Sequence, residues 1–101
     1  GFRSGGVPRP YVTDPKLLNI VNDLYKGLGK PNQIGTGSTA DAIRYEKATG
    51  NKVGGTFHSM KGQQYTNALN NWLTDNPMAD PGDRLAAQTL MVDLQAALSG
   101  K

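Results

Sequence analysis

A mainly α-helical domain is the fold class this sequence predicts, and three observations predict it. Apolar residues recur at helical spacing in three separate stretches, each opened by Ser, Thr or Asp as a cap and closed by Gly, Asn or Pro. The one β-branched stretch, 53–57, is short and interrupted by glycine. At 101 residues the chain is of single-domain length, and with only 37% apolar residues and thirteen glycines a modest core with long loops is expected.

The elements follow in order. Residues 1–12 are rich in Gly, Pro and Arg without helical periodicity, so they read as a linker or arm ahead of a single domain at 13–101. Thr13 or Asp14 caps a first helix with Pro15 at its first position. Leu17, Val21, Leu24 and Leu28 form its stripe, with Leu18 and Tyr25 beside them, and Gly27, Gly29 and Pro31 end it. Ser38 with Asp41 three residues on resembles a capping box for a second helix over about 39–49, stopped at Gly50. Its apolar content is thin, so loose packing and a polar outer face are expected. Residues 53–57 would form a small strand or an extended turn. Ser59 would cap a third helix through Tyr65, Leu69, Trp72 and Leu73, terminated by Asp75, Asn76 and Pro77. Asp80 caps the last, with Pro81 inside it and Asp83 three residues on, running through Leu90, Met91, Leu94 and Leu98 to Gly100. The architecture expected is a small four-helix domain with an exposed glycine-rich irregular middle. A short hairpin between 33–36 and 53–57 would make it α+β instead. Met60, Met78, Met91 and Trp72 read as core or near-core residues.

Composition removes several classes of chemistry. The chain has no cysteine, which excludes a disulfide framework, a thiolate zinc site and a cysteine nucleophile. No apolar run approaches the roughly 20 residues that span a bilayer, so no membrane contact is expected of the domain. One histidine and dispersed carboxylates form neither a zinc pattern nor a calcium loop, and neither metal nor cofactor is expected. A serine-hydrolase elbow is also missing. The chain starts at Gly1 and not at Met, so a fragment of something longer is expected.

The charge is uneven. Residues 1–61 hold nine bases against four acids, while residues 62–101 hold two bases against four acids. The basic part also carries the single histidine, and such asymmetry suits a face that neutralises phosphates.

Three constellations could carry chemistry. In Gly35-Thr36-Gly37-Ser38-Thr39-Ala40-Asp41, glycines and hydroxyls stand before a helix, where unpaired amides favour an anion; the same residues equally fit an N-capping loop. In Gly54-Gly55-Thr56-Phe57-His58-Ser59-Met60-Lys61-Gly62, histidine and lysine three apart share one side of a first turn. Histidine, with an unperturbed pKa of about 6.5, suits proton transfer and lysine suits phosphate charge, although a surface histidine beside a solvated lysine is the plainer alternative. In Arg44-Tyr45-Glu46, Arg44 would clamp a phosphate and Glu46 would hold the histidine in one tautomer or act as a second base; an ion-pair arrangement within the helix is the alternative.

The stretch IGTGSTADAIRYEKATGNKVGGTFHSMKGQQYTNALNNWL, with DPGDRLAAQTLMVDLQAAL, resembles the C-terminal toxin domains of bacterial polymorphic toxins. The likeness is to the CdiA-type ribonuclease domains of contact-dependent growth inhibition and related proteins, and covers about residues 32–99. The resemblance implies the last module of a long secreted cell-surface effector, delivered into the cytoplasm of a target bacterium and neutralised in the producer by a cognate immunity protein. It implies an endoribonuclease that cleaves tRNA, in some members only with elongation factor Tu and in some with factor Ts as well. Matched onto this chain, it points to Thr36, Ser38, Thr39 and Asp41, then Arg44 and Glu46, then His58 and Lys61.

By chemical inference, His58, Lys61, Arg44 and Glu46 would be catalytic, and Thr36, Ser38, Thr39, Asp41, Lys47 and Lys52 would bind substrate. The reaction expected is metal-independent: a base takes the 2′-hydroxyl proton and that oxygen attacks the adjacent phosphorus. The rivals are a non-enzymatic helical module that binds nucleic acid or protein, and a DNase toxin.

Overall fold

The computed structural model describes residues 5–101 and contains four helices: α1 (Pro15–Leu24), α2 (Thr39–Thr49), α3 (Ser59–Asp75) and α4 (Pro81–Leu98). No strand occurs among the described residues, so the fold is mainly α. The 53–57 stretch is a tight turn in which Val53 and Thr56 exchange backbone hydrogen bonds of 3.2 and 3.4 Å. Gly54 and Gly55, with φ of 61° and 83°, supply the left-handed pair that this two-residue turn demands. The hairpin with residues 33–36 does not form.

Each helix start follows local chemistry. The Asp14 carboxylate accepts the Leu17 N–H at 2.9 Å, and the same oxygen accepts the Trp72 indole N–H at 3.0 Å. One cap thus fixes both the start of α1 and its seat against α3. α1 buries Leu17, Val21 and Leu24, each worth roughly 1.5–3 kcal/mol. It stops at Leu24, earlier than the stripe suggested: the chain leaves the helix at Tyr25, and Leu28 is left half exposed. α4 runs from the Asp80 cap, whose side chain accepts from the Asp83 N–H. Leu90 and Leu94 are buried as expected, and so is Trp72, while Met91 packs partly against this core. Met60 and Met78, expected near it, are 76% and 93% exposed.

Two expectations about the chain's polar parts are corrected. Residues 6–12 do not hang free as an arm. Val12 is in the core, the Tyr25 hydroxyl donates to the Val7 carbonyl, and a Cβ on Gly6 would lie 2.3 Å from the Asp41 carboxylate. Residues 1–4, the remainder of that expected arm, lie outside the described residues. α2, expected to pack loosely, buries Ala40, Asp41, Ala42, Ile43 and Glu46 against α3 and α4.

Asp83 ties the segment before α1 to α4. Burial opposes its ionisation, but hydrogen bonds from the Thr13 N–H, the Thr13 hydroxyl and the Asp14 N–H outweigh this and hold the carboxyl below its ordinary range. A folded-state value below the unfolded one stabilises fully above the unfolded pKa of about 3.9 and is lost as pH falls through the folded value. Asp83→Asn is therefore expected to lower stability at neutral pH and to flatten the acid limb of the stability curve, measured by urea unfolding from about pH 2 to 7. An unchanged acid limb would show that this carboxylate carries none of the dependence.

Candidate active site

α2 and α3 meet where glycine permits it. A Cβ on Gly62 would fall 2.5 Å from Ile43 Cδ1, so any larger residue there would force the Ile43 side chain to shift for the first turn of α3 to sit this close to α2. One turn further along α2 and one turn back along α3, Glu46 meets His58. Glu46 Oε1 accepts the His58 backbone N–H at 2.8 Å, and Oε2 lies 2.6 Å from His58 Nδ1. An ionised carboxylate only accepts, so this contact puts the proton of a neutral ring on Nδ1 and leaves the Nε2 lone pair available. Nε2 has no hydrogen-bond partner among the described residues. His58, and not Ser59, is the residue at the α3 cap position, but its ring makes no capping bond because Glu46 holds it.

His58 lines a cleft of about 190 Å³ between the α1–α2 connection, the start of α2, the Gly54-Gly55 turn and the first turns of α3. That is below the roughly 300 Å³ of an enclosed small-molecule site, and suits part of an open chain. Lys61 lines it too, with Ser38 and Thr39. Sequence reasoning missed several further lining residues: Lys26 and Lys30 from the α1–α2 connection, Asn32, and Tyr65 on α3. Lys30 and Lys61 have no acidic partner among the described residues, and Lys26 has only the exposed Asp23 at 3.3 Å. The spacing of His58, Lys61 and Tyr65 at i, i+3 and i+7 was a readable signal of a shared helix face. Nothing local could have brought Lys26 and Lys30 opposite it.

The hydroxyl loop is largely occupied by its own chain. The Thr36 hydroxyl donates to Asp41 Oδ2 at 2.9 Å and lies 3.0 Å from Ser38 Oγ. Ser38 Oγ accepts the Asp41 N–H at 3.1 Å, and the Thr39 hydroxyl donates to the Leu24 carbonyl at 3.3 Å. Only half a capping box forms, since the Asp41 carboxylate turns to the Thr36 N–H and Arg44. Gly37, at φ 81°, has Leu28 backbone atoms 2.7 Å from where a Cβ would stand. Its close approach is to the α1–α2 connection and not to an anion. Thr36 and Asp41 do not line the cleft.

Arg44 is also elsewhere. Its guanidinium, 9% exposed, donates to Asp41 Oδ1 at 3.0 Å, Asp93 Oδ1 at 2.6 Å, the Asp93 carbonyl at 3.3 Å and the Lys101 carbonyl at 3.0 Å. Burial works against its charge, but the Asp93 and Asp41 carboxylates outweigh it and hold the group more firmly protonated than usual. The phosphate clamp expected at Arg44 is corrected by this geometry: the group is consumed in tying α2 to α4 and the C-terminus. Lys47 is exposed on the last turn of α2, and Lys52 Nζ stands 5.6 Å from the centre of the Phe57 ring; neither lines the cleft. Among the described residues no three of His, Asp and Glu converge as metal ligands, and no helix is long and apolar enough to cross a membrane.

Fold and site together define a four-helix domain in which a carboxylate-held imidazole opens on a lysine-bearing cleft. No family model, no curated protein and no solved structure matches the chain.

Proposed function

We propose that the chain is an endoribonuclease that cleaves tRNA by general acid–base phosphodiester transfer. The observation that carries this is the His58 ring, bound through Nδ1 to Glu46 and free at Nε2 in a cleft with Lys26, Lys30 and Lys61. RNA brings its own nucleophile. Nε2 takes the 2′-hydroxyl proton, the 2′-oxygen forms a bond to phosphorus, and the bond to the 5′-oxygen breaks. A 2′,3′-cyclic phosphate and a 5′-hydroxyl remain. Glu46 orients the ring and stabilises its imidazolium form, while the lysines offset charge growing on the phosphoryl oxygens. The reading departs from the sequence expectation at Arg44, whose clamp role passes to Lys61 and Lys30.

The biological setting in this proposal is that of the toxins the sequence resembles. The domain would act in the cytoplasm of a target bacterium, be silenced by a cognate immunity protein, and meet its substrate with elongation factor Tu, with or without factor Ts. The test is incubation of the full chain with total tRNA, with and without these factors and with EDTA, followed by analysis of fragment ends. Discrete fragments ending in 2′,3′-cyclic phosphate, made in EDTA, are expected. Bound but intact tRNA would leave a non-enzymatic binding module, and cleavage of 2′-deoxy substrate would overturn the nucleophile.

A further inference from the structure

The reaction above needs two proton transfers, and the chain holds one histidine. With Nδ1 taken by Glu46, His58 offers the cleft a single nitrogen. In-line displacement puts the entering 2′-oxygen and the departing 5′-oxygen on opposite sides of phosphorus, so the proton for the leaving group must come from a second side chain. Besides the weakly acidic hydroxyls of Ser38, Thr39 and Thr56, the cleft residues that carry a proton to give are Lys26, Lys30, Lys61 and Tyr65.

Tyr65 stands apart from the lysines. It is partly buried against the core, and its hydroxyl has no hydrogen-bond partner among the described residues, although it lines the same cleft as His58. It follows His58, the residue that caps α3, by seven positions, and stands four positions after Lys61, the spacing of neighbours on one helix face. Resting on the ribonuclease reading, we propose that the Tyr65 hydroxyl is the general acid that protonates the departing 5′-oxygen. As the P–O5′ bond breaks, Tyr65 gives its proton to that oxygen and becomes a phenolate. His58, having taken the 2′-proton, is then an imidazolium, and exchange of one proton through water restores both. Burial first, and then the nearby Asp23 charge, push the phenol above its ordinary range, so the phenolate left by the transfer readily takes a proton back.

The experiment compares two linkages at the bond the wild-type chain cuts: the natural phosphodiester, and one whose bridging 5′-oxygen is sulfur. A thiol ionises near pH 8.5 and leaves without a proton, which an alkoxide does not do. Tyr65→Phe is expected to cut the natural linkage about 100-fold more slowly than wild type and the sulfur linkage at nearly the wild-type rate. Its melting temperature should be unchanged, since the lost hydroxyl holds nothing in the fold. Equal slowing on both linkages, or none on either, overturns the assignment alone. Sulfur rescue of Lys61→Ala in place of Tyr65→Phe moves the acid to Lys61. A wild-type chain that leaves the natural RNA intact overturns the ribonuclease reading and this assignment together.

Discussion

His58→Ala is expected to reduce tRNA cleavage by roughly 10²- to 10⁴-fold, the range a positioned general base contributes. The substitution also has a structural cost that the sequence did not suggest. Removing the ring leaves Glu46 Oε2, in a side chain only 4% exposed, without its 2.6 Å partner, and an orphaned buried acceptor costs about 1–3 kcal/mol. His58→Asn separates the two effects, because its amide nitrogen occupies nearly the position of Nδ1 and can still donate to Glu46, yet it has no basic nitrogen. That variant should melt close to wild type and cleave no better than His58→Ala. Glu46→Gln should lower kcat by on the order of 10²-fold, since an amide can stabilise the wrong ring tautomer and cannot balance an imidazolium. Wild-type rates in His58→Asn would end the assignment of the base.

Arg44→Ala is expected to cost about 3–5 kcal/mol in urea unfolding, because the buried Asp41 and Asp93 carboxylates would lose the guanidinium that neutralises both. Arg44→Lys should recover only part of this. One ammonium cannot span Asp41, Asp93 and two carbonyls, which the planar guanidinium reaches together. Neutralising the partners in the same chain, with Asp41→Asn and Asp93→Asn, should return much of the loss. A phosphate-binding arginine would behave in the opposite way, with activity falling and the unfolding midpoint unmoved. The triple variant therefore also asks whether cleavage survives without the guanidinium, as the cleft geometry expects.

How much was legible varied with the range of the interaction. Ser38, Asp41 and Gly50 mark both ends of α2 because capping is settled within a few residues. His58 stood out as the single imidazole, and its tie to Glu46, twelve residues away across one turn, was among the options the residue types allowed. Arg44 misled because its charge invited a ligand while its decisive partner, Asp93, lies 49 residues on. The hydroxyls of the 35–41 loop misled similarly, since a loop built to cap a helix and one built to hold an anion use the same residue types.

By itself, then, the sequence determined the mainly α class and the capped starts of α1, α2 and α4, because caps, proline positions and apolar spacing act locally, while the stop of α1 at Leu24 and the cap position of α3 at His58 were set by packing. Tertiary structure alone decided which charges are spent and which are left for a substrate. Burial between α2 and α4 converts Arg44 into a brace. The turn after α1 carries Lys26 and Lys30 to face His58. A charge acquires its role from what is packed around it, and that is set by contacts between residues far apart along the chain.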